Sequence, residues 1–307
     1  MDGVISFIKP PGITSHDAVA ICRRLFKEKR IGHSGTLDPM AYGVLPIFLG
    51  KATRLIEYTD DFTKTYVAVY RLGSFTDTED ASGNPVVLPE EAGIMKTSSL
   101  MVDKGYTSPE QIQKEDIEAI LRQFQGQQEQ VPSIYSAIKI NGKRAYEYAR
   151  EGIAVEIPAR TITVHSIELL AYAYPFFTIR VSCSGGTYIR SLLRDICIAL
   201  GQAGTMTQLC RTQVGPFSLD SSYMAEEIML DGAKLLQACD RAISHIPSLT
   251  ISAEQKAALS QGKQLSIHPD FRDTQVGQIY RAYSPEGFMG IVKRSEKSIQ
   301  VEKNIFL

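Results

Sequence analysis

Residues 175–201, PFFTIRVSCSGGTYIRSLLRDICIALG, constrain the fold more tightly than any other stretch. An apolar, β-branched run reads as a buried strand. Gly185-Gly186 then turns the chain, and from about Thr187 to Gly201 the apolar residues recur at helical spacing. A glycine turn that opens a helix exposes several unpaired N–H groups, and such a turn suits an anion such as phosphate. Neither a G-x-x-x-x-G-K-[ST] loop nor a G-x-G-x-x-G fingerprint occurs, which argues against a nucleoside triphosphate or dinucleotide site. Tyr188 and Arg190 stand out in the first helical turn as an aromatic and a cation.

A second strand is legible in KTYVAVYRLG, with Tyr66, Ala68, Tyr70 and Leu72 on one face and Val67, Val69 and Arg71 on the other. Ser15 is the expected N-cap of a helix carrying Val19, Cys22 and Phe26, and basic residues crowd the end of that helix. KEDIEAILRQFQG places Ile117, Ile120, Leu121 and Phe124 at helical spacing, with Gly126 expected at C′. From Leu88 to Thr107 no period is clear, so a loop or insertion is expected. From about Ile251 the texture changes, and short strands follow with Ser284-Pro285-Glu286-Gly287 as a hairpin turn; Pro247, near the start of this module, suits a linker. A chain of 307 residues suggests one large domain and a smaller one.

The net charge of −1 gives no overall basic field, so any nucleic-acid contact must be local. One such patch is VPSIYSAIKINGKRAYEYAREG, where Lys139, Lys143, Arg144 and Arg150 are interleaved with Tyr135, Tyr146 and Tyr148 around an Asn141-Gly142 turn. Cations that hold phosphates beside tyrosines that stack on bases suit RNA, although a solvated hairpin has the same composition. The five cysteines form no C-x-x-C pair and the histidines no cluster, which argues for reduced thiols in a cytoplasmic protein without a metal site. The N-terminal residues do not read as a secretory signal, and no run approaches the roughly 20 apolar residues of a membrane span.

Residues 32–40, GHSGTLDPM, set one carboxylate, Asp38, in a segment rich in turn formers. On residue types alone this is a structural turn or a rigid mount for a functional acid.

KPPGITSHDAV, GHSGTLDPMAYGVLPIFLGKATR, KTYVAVYRLG, VPSIYSAIKINGKRAYEYAREG and CSGGTYIRSLLRDI stand in the order and spacing of the bacterial TruB-type tRNA pseudouridine synthases, and the chain resembles that family over nearly its whole length. The terminal residues resemble a PUA RNA-binding domain. Two departures are visible: Ser133 follows Pro132 where the family usually has a second proline, and residues 88–112 match little.

The resemblance implies an α+β fold, with a central mixed, mostly antiparallel sheet flanked by helices and loops. It implies a catalytic domain over residues 1–247 with an RNA-contacting insertion near 120–155, and a PUA-like domain over 248–307. The implied reaction is conversion of uridine 55 in the tRNA T-loop to pseudouridine, by a monomer, with no cofactor or metal. Asp38 is the implied catalytic residue, by attack on the sugar C1′, by assisting loss of the 2′ proton or by addition to the base C6. Arg190 is the implied cationic partner of Asp38. Tyr66 would stack on the flipped uracil, Tyr188 and Leu209 would line its pocket, and His33 would fill the space the nucleotide leaves. Lys9 and Asp80 match family positions of less defined role. Two other classes fit parts of the pattern: a non-catalytic tRNA-binding or folding protein, and a glycoside or nucleoside hydrolase, which needs a second acid.

Overall fold

The computed structural model describes residues 1–86, 112–267 and 271–305. The aperiodic stretch from Leu88 to Thr107 lies outside them.

The chain begins with β1 (Gly3–Lys9) and α1 (Ser15–Phe26). Thr14, not Ser15, caps α1: its hydroxyl accepts from Asp17 N at 3.1 Å, while Asp17 Oδ2 accepts from Thr14 N at 2.9 Å. This is a capping box with Asp in place of Glu, and Asp17 fits the third helical position better than any acid placed for a Ser15 cap. Ser15 becomes the first helical residue and uses its hydroxyl elsewhere. Next come β2 (Ile31–His33), β3 (Tyr42–Leu49), a 3-10 helix over Gly50–Thr59, β4 (Lys64–Leu72), and the short β5 (Phe75–Thr76) and β6 (Pro85–Val86).

After α2 (Lys114–Gln123) the chain does not stop at Gly126 as a C′ residue. Phe124 is the cap, and Gly126, at φ 109°, opens β7 (Gly126–Gln130). A hairpin of β8 (Lys139–Ile140) and β9 (Lys143–Arg144) follows. Its two turn residues, Asn141 and Gly142, lie at φ 51° and 84°, the left-handed pair that a two-residue hairpin turn demands. Then come α3 (Ala145–Arg150), β10 (Arg160–Ala173), β11 (Phe176–Cys183), α4 (Ile189–Ala199), β12 (Gly204–Val214), β13 (Phe217–Ser218) and α5 (Ala225–Asp231).

Among the described residues nine strands form one sheet, in the order β1-β3-β12-β4-β11-β10-β7, with β2 paired to β3 and β13 to β12. The β3–β12 pair is parallel and the others antiparallel. The parallel pair is short and close: a Cβ on Gly43, which has φ +113°, would lie 2.2 Å from the Arg211 carbonyl oxygen. Only glycine fits there.

β4 sits between β11 and β12 and alternates as its sequence demands, with Tyr66, Ala68, Tyr70 and Leu72 turned into the core. Leu192, Leu193, Ile196 and Cys197 of α4 belong to the same apolar cluster. Each fully buried aliphatic side chain contributes roughly 1.5–3 kcal/mol. The Tyr70 hydroxyl is satisfied by the Gly204 carbonyl at 2.7 Å. All five cysteines are unpaired and buried.

A second sheet is built from β14 (Ser248–Thr250), β15 (Leu265–Ser266), β16 (Ile279–Ser284), β17 (Gly287–Arg294) and β18 (Ser298–Asn304), in the order β14-β16-β17-β18-β15, beside α6 (Ala253–Ser260). It has its own core around Leu249, Leu259, Phe271, Met289 and Ile299. Ile291 and Ile305, however, belong to the cluster of Val4, Val44 and Phe48, so the two sheets share an apolar junction. No helix among the described residues is long and apolar enough to cross a membrane.

Candidate active site

The turn-rich segment GHSGTLDPM is held from several sides. Leu37 is 3% exposed and inserts into the main core. The Ser15 hydroxyl accepts from Leu37 N at 2.9 Å, so the first turn of α1 fastens the loop. Lys9, fully buried, donates through Nζ to the carbonyls of Pro10 and Ile13 at 2.8 Å and of Pro39 at 3.3 Å. Burial lowers its pKa to about 8. Arg211, also fully buried, donates to the carbonyls of Val44 at 2.8 Å, Thr36 at 3.4 Å and Gly35 at 2.9 Å. Lys9 and Arg211 thus act beneath the loop, on its backbone.

The loop presents Asp38 with its side chain one-third exposed, at 33%. Arg190, near the start of α4, grips the carboxylate in a fork: Nε donates to Oδ2 at 2.9 Å and Nη2 to Oδ1 at 3.1 Å. The same guanidinium donates to the Thr78 carbonyl and the Tyr135 carbonyl, both at 3.0 Å, and its Nε lies 3.6 Å from Asp80 Oδ2. Burial opposes the charge on Arg190, but Asp38, Glu79 and Asp80 outweigh it and raise its pKa. A charge-assisted, bidentate pair of this kind is among the stronger polar contacts a protein makes.

Asp80 is buried and accepts at Oδ1 from Thr78 Oγ1 at 2.9 Å and from Ser82 N at 2.9 Å. Its neighbour Glu79 stands at φ 66°, a left-handed position rare for this residue type, and bonds Arg194 at 2.8 Å. Arg194 also donates to the Val131 carbonyl at 2.9 Å and to Asp195 at 2.9 Å. Arg190 and Arg194 lie one helical turn apart, so α4 pins the 78–80 turn and the 131–135 segment together.

A cleft of about 940 Å³ opens over Asp38. It brings together Asp38, Tyr66, Asp80, Tyr188, Arg190 and Leu209, with Arg144, Tyr146 and Arg150 from the basic-aromatic segment. Tyr66 is 6% exposed, and its phenol pKa is raised by burial, partly offset by the adjacent Arg211. The Tyr188 phenol is likewise raised by burial, with Arg160 stacked over its ring at 5.9 Å. Leu209 serves both the core cluster and the cleft wall. Arg150 lies 5.3 Å and Arg144 5.9 Å from the Tyr146 ring centroid. Lys139 and Lys143 are not among the lining residues; Lys143 instead pairs with Glu151 and covers Tyr148. Of the expected 120–155 insertion, Leu121 and Phe124 belong to the main core, β7 is the edge strand of the main sheet, and the part facing the cleft lies within residues 135–150.

His33 lies in β2 and does not line the cleft; His16 does, and its ring meets that of His33 edge-on at 5.8 Å. Burial, followed by the charges of His16 and Arg211, lowers the His33 pKa from 6.5 to about 4. Among the described residues its buried Nδ1 has no hydrogen-bond partner. Above pH 6.5 His33 is neutral in both folded and unfolded chains; below it the unfolded chain binds the proton first. A stability cost therefore accumulates as pH falls from 6.5 towards 4, and His33→Gln is expected to flatten that part of the melting temperature against pH. Equal slopes for the two proteins would contradict it.

Sequence reasoning missed Arg211, Lys64, Glu79 and Arg194. For Lys64 a signal existed: it shares the inward parity of Tyr66, Ala68 and Tyr70, where a charged residue needs a reason. Arg194 follows Arg190 by one turn on an otherwise apolar helix face, a similar clue.

Residues 23–189 match the TruB family pseudouridylate synthase (N-terminal domain). A tRNA pseudouridine synthase B of Heliobacterium modesticaldum is 45% identical over 267 residues, covering 85% of this chain and 81% of its relative. One from Halalkalibacterium halodurans is 38% identical over 312 residues, covering 94% of this chain and 96% of the other. Among solved structures, a chain of a Cbf5-Nop10-Gar1 complex superposes with a TM-score of 0.72 at 26% identity, covering 99% of this chain and 85% of that one. With family match, relatives and fold in agreement, the chain belongs to the TruB family of pseudouridylate synthases and is an isomerase.

Proposed function

We propose that this protein converts uridine 55 in the T-loop of tRNA to pseudouridine, with Asp38 as the catalytic carboxylate. The observation that carries the reading is the forked Arg190–Asp38 pair at the floor of a cleft whose rim holds Tyr146, Arg144 and Arg150. The reaction needs the C1′–N1 bond broken, the uracil turned, C5 joined to C1′, the C5 proton lost and a proton gained at N1. The sequence is an isomerisation with no net oxidation or reduction. A carboxylate is suited to an electron-poor sugar carbon, and a partly exposed one under an open cleft can be reached by a flipped nucleotide. Arg190 keeps that carboxylate oriented, with both oxygens held in its fork.

Tyr66 stacks on and orients the base. Burial raises its phenol pKa, so even less of it stands as phenolate at neutral pH than in a free tyrosine, which favours stacking over proton removal from C5. Tyr188 and Leu209 close the base pocket, and Asp80 fixes Arg190. His33, behind His16, supports the wall that the vacated stem-loop rests against. Arg144 and Arg150 hold phosphates at the rim, while Lys139 and Lys143 act further out along the hairpin. Residues 248–307 serve as a PUA-like RNA-binding module on the 1–247 catalytic domain, in a cytoplasmic monomer.

The test is an unmodified tRNA transcript tritiated at uracil C5, incubated with the protein without added metal or nucleotide. Stoichiometric tritium release is expected, and a transcript with cytidine at position 55 should release none from that site. Tight binding without release would overturn the reading in favour of a binding protein; free uracil as product would reassign the chain as a hydrolase.

A further inference from the structure

Lys64 opens β4 and is 8% exposed, yet its ammonium makes no hydrogen bond and no ion pair among the described residues. The side chain runs between two glycines. A Cβ on Gly35 would lie 3.3 Å from Lys64 Cε, and a Cβ on Gly185 would lie 3.5 Å from Lys64 Nζ. The ammonium thus reaches the wall of the cleft, where Lys64, Gly186 and Thr187 are neighbours in the lining. Burial, and then Arg211, lower its pKa, whereas Cys183 and then Asp60 and Asp61 act in the opposite sense.

The Gly185–Thr187 turn leads directly into α4, a helix of 11 residues. Among the described residues the N–H groups of Gly185 and Gly186 meet no protein acceptor; Thr187 closes the turn on the Ser184 carbonyl, to which its hydroxyl also donates at 3.0 Å, and the Tyr188 N–H is taken by Gln130 Oε1 at 2.9 Å. Exposed Arg160 flanks the turn on its other side and donates to the Gly186 carbonyl at 3.3 Å. A nearly buried cation without a counter-charge is costly in the free protein. Beside free N–H groups at a helix start, it describes a place prepared for an anion.

We propose that Lys64 and the Gly185–Thr187 turn form a subsite for one backbone phosphate of the RNA, next to the nucleotide that enters the cleft. The inference rests on the RNA-isomerase reading for its ligand, but its test does not depend on turnover. Lys64 is a positioning residue: it fixes the backbone from which the uridine is turned out, and does not touch the reacting atoms.

The experiment compares T-stem-loop RNA binding by the wild type and Lys64→Met between 50 and 200 mM salt, roughly the range over which counterion release is usually read. Lys64→Met is expected to bind about ten- to a hundredfold more weakly, as befits one lost charge-assisted contact. Its log Kd against log salt should lose about 1 from the slope. The variant's melting temperature should be equal or higher, because an unpaired buried charge is gone. RNAs carrying a single neutral methylphosphonate beside the target uridine should weaken binding to the wild type at one linkage, and that linkage should cost Lys64→Met nothing further.

An unchanged salt slope, additive losses at every linkage, or a clearly lowered melting temperature would each overturn the subsite. Wild-type protein with the expected slopes but no tritium release would refute the isomerase reading and leave the phosphate subsite standing. Release together with unchanged slopes would do the reverse.

Discussion

Asp38→Asn is expected to abolish tritium release from C5-labelled tRNA, by a factor on the order of 10⁴ or more, the scale seen when an enzyme loses its nucleophile. Affinity for the T-stem-loop should change by less than about threefold. The amide has nearly the shape of the carboxylate, and the loop that carries it is fixed by Leu37, Ser15, Lys9 and Arg211, whose hydrogen bonds to the loop go to backbone groups and not to the Asp38 carboxylate. Backbone placement should therefore survive the exchange. What is lost is a charged oxygen able to bond carbon or take a proton, together with one half of the fork to Arg190. Single-turnover release and equilibrium binding on the same protein separate the two effects. Residual release within a hundredfold of wild type would remove Asp38 from the chemistry.

Arg190→Met should lower the single-turnover rate by about 10²–10³, since misplacing a reacting group by about 1 Å already costs about a hundredfold. RNA affinity should fall by less than tenfold, because the guanidinium is 6% exposed and its donors are taken by Asp38 and the carbonyls of Thr78 and Tyr135. The side chain satisfies Asp38, the Thr78 carbonyl and the Tyr135 carbonyl at once, so its loss frees three segments together. Arg190→Lys should recover little: an ammonium keeps the charge but cannot present a planar fork to two oxygens and two carbonyls. Both variants need a melting curve alongside, since removing one partner of a buried ion pair costs about 3–5 kcal/mol and Asp38, being one-third exposed, places this pair below that figure. A rate for Arg190→Met within tenfold of wild type would make the pair a structural feature only.

Much of this site was legible before any coordinates. The strand of Tyr66, the glycine turn before α4 and the Asn141-Gly142 hairpin each follow from local chemistry: side-chain alternation, a change of period across two glycines, and the left-handed dihedrals that asparagine and glycine tolerate. Asp38 and Arg190, 152 residues apart, could be joined only through family resemblance, because no local rule relates a loop acid to a helix cation so distant in sequence. The errors also have physical causes. Ser15 and Thr14 are both good caps, and the acid at Asp17 decides between them. Gly126 serves a strand because β10 offers an edge for β7 to pair with, which no window around residue 126 can reveal. The buried ions Glu79, Arg194 and Arg211 escaped because composition rules place such residues outside, and only tertiary geometry shows the carbonyls and opposite charges that meet them; buried Lys64 escaped for the same reason, without such a partner.

The apolar junction made by Ile291 and Ile305 has a mechanical consequence. Removal of everything after Pro247 would strip cover from Val4, Val44 and Phe48, so such a truncation tests the integrity of the core before it tests any contact made by the terminal sheet. Side chains locked into a shared interior also leave the second sheet little freedom to swing. It stands to Asp38 as the jaw of a fixed caliper stands to its scale, and whatever rests on it is held at a set span from the carboxylate.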